Sequence, residues 1–594
     1  MAREVNPVVK SYIEAFQVSL DYCKPVWDDA IALYELFKLK KFSALLKTHS
    51  QIAINLHHSM VVDRAPKIQQ NVFGSTNILS LIPTSPESEP FRDENEAWIR
   101  DLYKRVLNIR YESASTVTGS LICGTAYRMP YVTWGGGVGE GKLRRVIDSC
   151  PKDFFSVLPA PTGGYVNPSN KGRSSAVDYV FVVDWMSNEK IEKLAKAGIF
   201  NKAESGAMLD SKNQSRSDWP ELQYQNRFSA ANKITYGGTT TWRTRLEKIK
   251  EIPNRRRVVH WFTRNKWYII GEDAFLLYDG EPVVRDENGD GVIPIAKYTT
   301  CPDGDNWFGI PYLKLVDDIL KAMIMNVNFR FDHLLSIMFP QTFIRQDVLQ
   351  GKPVSAFRRT PNALHSFPTT VPDISKAVWY DQGKGVDQQA FIDENSLKAL
   401  LQKVAGASET TSSLNDVVGN KTATGVTAIM GELMGRPIME SINFEMGGLR
   451  EETKILLYLA DNYIEDDQLV RSTEVGGFPW SRIRPEVLNS AFDVETHGTQ
   501  YMSEKNITFQ KLIAYAPLVN QSPVFDEYEK QKQFAEIADV LPHPDRAIIK
   551  PSPMEAGMLQ GTQSTNSQGI GGAASPFDIT EQAAGQELEE AGAV

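Results

Sequence analysis

Hydrophobic and polar positions are most sharply ordered in Pro311 to Phe339, PYLKLVDDILKAMIMNVNFRFDHLLSIMF. Leu313, Val316, Leu320, Met323, Val327, Phe331 and Leu334 recur at steps of three and four. That spacing predicts one helix of about 29 residues, roughly 43 Å long, with a continuous apolar stripe. Asp317, Asp318, Lys321, Arg330 and Asp332 fill polar positions, and Pro311 stands in the first turn, where its missing N–H costs little. A helix of this length exceeds a small lobe, so it must pack against similar helices in its own chain or in neighbouring copies.

The pattern upstream changes character more than once. Residues 8 to 70 carry helical spacing, with Phe16, Leu20, Trp27, Ile31, Tyr34 and Phe37 on one face and a break expected at Pro25. His57 and His58 are read as a surface or interface pair, since adjacent helical residues point in different directions. A helix is expected from about Glu94 to Val117. Short β-branched and aromatic runs follow it (SLICGTAYRMPYVTW, RRVIDSC, FFSVLPA, AVDYVFVVDWM), as strands would. Residues 201 to 235 are polar throughout and predict an exposed excursion.

Beyond the long helix, TFIRQDVL, SAFRR and KAVWYDQ read as strands of an insert of about 50 residues, too small for its own core. Leu397, Leu400, Leu401 and Val404 mark a returning helix, which ends in the polar loop GASETTSSLNDVVGN. Further helices are expected at about 424–434, 438–463, 504–514 and 523–540, the last beginning at Ser522–Pro523. From Pro551 the chain has six acidic residues and no Lys or Arg, a composition that predicts disorder.

Composition narrows the class. With 594 residues, 42% hydrophobic and 23% charged, the chain is long enough for more than one core. The net charge of −9 argues against nonspecific coating of DNA but suits a wall past which DNA slides. Four scattered cysteines suit a reducing compartment. No apolar run is long enough for a membrane span, and MAREVNPVVK lacks the apolar centre of a signal peptide.

Three stretches invite chemistry. Gly136 to Lys142 has the spacing of a phosphate-binding loop, but Leu143 stands where Ser or Thr should reach magnesium, so a hairpin loop is expected. Asp286 to Ile293 fits the first eight positions of a calcium loop, but Lys297 occupies the twelfth and Pro294 follows, so a hairpin is expected there too. Arg243 to Lys266 is basic enough to dock nucleic acid or an acidic protein, with outward-facing strand positions the favoured reading. No catalytic, cofactor or metal residue is nominated, and the chain is not read as an enzyme.

The run GDGVIPIAKYTTCPDGDNWFGIPYLKLVDDILKAMIMNVNFRFDHLL resembles the wing-to-stem junction of portal proteins (head–tail connectors) of tailed double-stranded DNA bacteriophages. Gly309, Ile310 and Pro311 match the turn that leads into the long helix in that family. NKTATGVTAIMGELM is similar to the helix start after the loop in podovirus-type portals. The likeness is one of organisation over roughly residues 5 to 545 rather than of a sharp signature.

The resemblance implies an α+β portal fold with a mixed α/β wing, a long-helix stem, a small β-rich clip and a short helical crown. Its parts would be N-terminal helices and wing at 1–307, first stem helix at 308–339, clip at 340–391 and second stem helix at 392–405. A tunnel loop at 406–421, return helices at 422–502, crown helices at 503–550 and the acidic tail at 551–594 complete it. It implies a dodecameric homo-oligomer at one capsid vertex, with double-stranded DNA packaged and ejected through its channel. Implied partners are the terminase large subunit, head–tail adaptor and tail proteins, and the major capsid and scaffolding proteins. Assembly in the host cytoplasm and residence in the virion follow, with no membrane insertion and no cofactor.

In a ring, one lysine per chain becomes a basic band for phosphate. Lys314, Lys321, Lys398, Lys403 and Lys421 are the channel candidates; Ser408, Glu409, Thr410, Thr411, Ser412, Ser413 and Asn415 are the tunnel-loop candidates. Two other classes compete: another ring-forming head–tail component, usually much shorter, and a nucleic-acid-processing enzyme with an unrecognised active site.

Overall fold

The structure is a computed structural model that describes residues 6–74, 78–136, 143–167, 176–211, 255–286, 289–304, 306–338, 342–344, 378–380, 389–406, 436–470, 481–488 and 490–498. All of these belong to one compact unit, 1–472 with 480–503; residues 473–479 and 504–594 make up a second. The crown helices and the acidic tail expected from the sequence therefore lie outside the described residues.

Helix α1 spans Pro7–Phe37 and starts where the Asn6 side chain accepts a hydrogen bond from the Val8 N–H at 3.0 Å. It continues straight through Pro25, against the break expected there. Burial explains the difference. Cys23, Trp27 and Ile31 flank the proline and are fully buried, and each is worth about 1.5–3 kcal/mol against the ~3 kcal/mol cost of proline. Helix α2 spans Leu56–Phe73. Helix α3, Arg92–Asp101, runs into a π turn at Leu102–Val106, and α4, Ile109–Cys123, follows left-handed Asn108. The single helix expected at 94–117 is thus two, and the SLIC run is helical rather than extended. A short apolar run carries no period that distinguishes the two states.

Strand β1, Leu79–Pro83, comes before α3 in the chain and pairs with a late strand described below. The hairpin β2 (Ala126–Gly136) and β3 (Leu143–Lys152) pairs in antiparallel register from Tyr127↔Lys152 to Gly136↔Leu143. The glycine-rich run therefore connects two paired strands, as expected. Strands β4 (Val157–Pro159), β5 (Tyr179–Ser187), β6 (Arg255–Thr263), β7 (Trp267–Gly271) and β8 (Phe275–Gly280) form one antiparallel sheet in that order. Tyr12 and Phe16 of α1 pack on Phe181 of β5, with ring centroids 5.6 and 5.3 Å away. A smaller core joins Val258, Ile269 and Leu277 to helices α5 (Asn188–Lys196) and α6 (Lys202–Asp210).

Strands β9 (Val284–Arg285) and β10 (Gly291–Val292) pair across the acidic turn, where the Asp290 N–H donates to the Asp286 carboxylate at 2.8 Å. That is the expected hairpin. Strand β11, Ala296–Tyr298, adds to β2 and completes a three-stranded sheet. Helix α7 spans Tyr312–Met338 and α8 spans Gln389–Ala405; between them in the chain, β12 (Thr342–Ile344) and β13 (Val378–Tyr380) pair antiparallel. A helical stretch at 436–444 passes through a π turn at Glu445–Leu449 into α9, Arg450–Tyr463. The chain then adds β14 (Gln468–Val470), β15 (Ser481–Ile483) and β16 (Phe492–Thr496), with β16 paired to β1.

Fully buried polar groups join these layers. Arg128 on β2 donates its Nε–H to Glu452 of α9 at 3.0 Å, and both are almost completely buried. Ser149 and Tyr298 hydroxyls donate to the same carboxylate, and Tyr103 in the first π turn meets Thr453 at 2.8 Å. Three donors, from Arg128, Ser149 and Tyr298, converge on the Glu452 carboxylate in a dry interior and hold sheet and helix in a single register. Part of the basic segment is equally internal. Arg256 pairs with Glu272 at 3.0 Å, while Arg257 pairs with Asp273 and lies 5.0 Å over the Phe16 ring. Residues 243–254 of that segment lie outside the described residues.

Candidate assembly site on the helix hairpin

Glycines bring the base of α7 onto the body. Gly124 ends α4 at φ +81°, and a Cβ there would come within 2.1 Å of the Gly309 carbonyl oxygen. The Gly309 N–H donates to Thr125 Oγ1 at 2.9 Å. Only glycine at both positions permits this backbone contact, and it aims Pro311 and α7 away from the end of α4. Beside it, Trp307 donates its Nε1–H to Tyr127 at 2.7 Å, fixing the approach to the turn.

From Tyr312 to Asn328 the helix is part of the core. Leu313, Val316, Leu320, Met323 and Ile324 are buried. Asn328 is the last fully buried residue of the helix. It accepts from the Ile52 N–H at 2.6 Å and donates to the Ile52 carbonyl at 2.8 Å, treating the α1–α2 connection as a strand edge would. One turn on, Asp332 accepts the His49 and Ser50 N–H groups at 3.0 and 2.7 Å, together with the Ser50 hydroxyl. Partial burial would raise the Asp332 pKa, but these donors outweigh it and hold it below the usual range.

Of the pair expected at a surface or interface, His58 is exposed and His57 is not. His57 is buried, with Nε2 3.0 Å from Asp317 of α7, and His58 stacks on Phe37 at 4.9 Å. Asp317 also receives Lys321 at 2.5 Å. Burial pushes the Asp317 pKa up, and the hydrogen bonds from His57 and Lys321 bring it below its ordinary value.

Past Asn328 the same apolar stripe goes on without cover. Phe331, Leu334 and Met338 are 44, 42 and 67% exposed. Helix α8 returns along another side of α7: Arg330 reaches Glu394 at 2.5 Å and lies 4.9 Å over the Phe391 ring, and Asn326 Nδ2 donates to the Ala390 carbonyl at 3.4 Å. Of α8 only Ala405 is buried among the described residues; Phe391, Ile392 and Leu400 stand exposed. Between the two helices runs a groove lined by Ala322, Met325, Phe329, His333 and Leu397.

The lysine candidates do not form one bare stripe. Lys314 pairs with Asp29 of α1 at 2.6 Å, Lys321 with Asp317, and Lys398 with Glu394 at 3.0 Å. Lys403 is exposed near the end of α8, and no ion-pair partner for it occurs among the described residues. Lys421 and the tunnel-loop candidates, Ser408 to Ser413 and Asn415, lie outside them. Sequence reasoning missed Asn328, Asp332 and His57, whose partners are 260 or more residues away.

Among the described residues there is no group of His, Cys, Asp and Glu that could hold a metal ion, and no helix is long and apolar enough to cross a membrane. No protein-family model matches the chain, and no curated protein matches it.

Proposed function

We propose that this chain is a portal protein: the subunit of a ring at one vertex of a tailed-phage capsid, through whose channel terminase packages the genome and from which the genome is later ejected. The observation that carries the reading is the α7 stripe, buried by the chain's own body up to Asn328 and uncovered beyond it. An exposed apolar helix edge of this kind is what an assembly contact requires. It belongs to a helix hairpin whose far end carries a two-stranded pair, β12 with β13. That order of body, long helix, small β unit and returning helix is the order of wing, stem, clip and stem. The acidic balance of the chain favours passage of DNA over its retention.

On this reading the ring also docks terminase, adaptor and tail proteins at its exposed ends. Vertex labelling tests it. Capsids assembled with the chain tagged at its C-terminal tail carry label at a single vertex, and capsids assembled without it hold no packaged DNA. Label at many vertices, or packaging that persists in its absence, would refute the proposal.

A further inference from the structure

Two consecutive residues other than glycine are left-handed in the turn between β7 and β8: Glu272 at φ +47° and Asp273 at φ +58°. They are the central residues of the turn, which the Ala274 N–H closes on the Gly271 carbonyl at 3.1 Å. Hairpin turns with two left-handed residues favour Asn-Gly. A glutamate there adopts a conformation that its own backbone sterics oppose. Strain of this kind persists only where the surroundings over-determine it.

Here the surroundings are two buried arginines. Arg256 and Arg257 are successive residues of β6, so their side chains leave opposite faces of the sheet. On one face Arg256 donates to both Glu272 carboxylate oxygens at 3.0 and 3.2 Å. It also donates to the Leu209 and Ser211 carbonyls at the end of α6, at 3.0 and 3.1 Å. On the other face Arg257 pairs with Asp273, which accepts the Tyr12 hydroxyl of α1 at 2.6 Å. Removing either carboxylate's charge leaves a buried guanidinium without compensation and takes away what offsets the strain.

From this we infer that the turn is a two-sided latch: the end of α6 and the start of α1, on opposite faces of the sheet, are released together. The arginines hold the strained turn, and the turn holds each arginine's partner in place. Both sets of contacts bias one element, which is how two separated sites become coupled.

Hydrogen exchange of the full chain tests this, read in peptides covering 7–15, 202–211 and Ala274, with α9 as internal control. Glu272→Gln alters the α6 face and Asp273→Asn the α1 face. Each is expected to speed exchange on both faces, on the order of tenfold, and at Ala274, with α9 unchanged. Glu272→Asn combined with Asp273→Gly takes the same turn without strain, so Ala274 should exchange as slowly as in the parent while α1 and α6 loosen. Tyr12→Phe is the mildest change; it should speed exchange in 202–211 several-fold, and it keeps the test decisive should a charge variant fail to fold. Effects confined to the face that each variant alters would overturn the inference. So would an equal rise in α9, since the two ends would then open only with the whole fold. An Ala274 amide indifferent to both single variants would show that the ion pairs do not hold the turn, and would overturn it too.

Discussion

Replacing Phe331 and Leu334 together by serine separates assembly from folding. The two side chains are 44 and 42% exposed and lie beyond the last buried residue of α7. Full burial of such a side chain is worth about 1.5–3 kcal/mol, so covering what remains exposed contributes about 1 kcal/mol each, or ~2 kcal/mol per contact. At 1.4 kcal/mol per tenfold, the concentration at which half the chains assemble rises about 30-fold. The isolated chain loses the covered part of the same two side chains, also on the order of 2 kcal/mol, but this loss does not depend on concentration and leaves the assembly midpoint of the folded chains where it was. Mass photometry across a dilution series reads the first quantity, and thermal melting of dilute chain reads the second. An assembly midpoint that moves less than about threefold would refute the assignment of this stripe to self-association. So would a shift that disappears once the unfolded fraction is subtracted, since the side chains would then be structural alone.

Three further outcomes follow from particular contacts. Glu452→Gln leaves Arg128 buried without its counter-charge and should cost about 3–5 kcal/mol in urea unfolding, whereas Glu465→Gln, at an exposed pair with Arg145, should cost under ~1 kcal/mol; equal effects would discredit the buried network. Asp493, held by Arg450 at 2.8 Å and Lys454 at 2.9 Å, has its pKa drawn down to about 2 against the upward push of burial. A folded pKa below the unfolded value of ~3.9 stabilises above pH ~4, and this is lost as pH falls toward 2. Asp493→Asn should therefore flatten the acid limb of a stability–pH curve, and an unchanged limb would contradict the pairing. His57→Ala, which removes the buried bond to Asp317, should destabilise by about 1–3 kcal/mol in the same urea assay; a neutral result would mean that α2 and α7 are held by apolar contact alone.

How much was legible from the sequence varied with the range of the cause. The long helix is local in origin: a period of three and four over seven turns, with Pro311 at its head, and α7 occupies 312–338 as the spacing demands. Both false motifs resolved for local reasons too, since in each case the strands on either side of the motif pair with each other. Pro25 and the SLIC run misled because tertiary burial outweighed propensity in the first case and an apolar run carries no period in the second. The basic segment is a sharper case. Arg256 and Arg257 add to a string of positive charge, yet each meets a carboxylate sixteen residues on, in the turn between β7 and β8. At the candidate site, the stripe was visible but its limit was not. Asn328 ends the buried part only because residues 49–52 arrive there from another part of the chain.

The central claim is that the uncovered half of α7 builds a ring around a channel, and imaging of the purified full-length chain with mass determination tests it most directly. The account predicts a closed ring of about twelve copies with an open centre, the helix hairpins lying side by side between neighbours. A compact two-fold dimer, with the two α7 ridges facing each other and no channel, would contradict it.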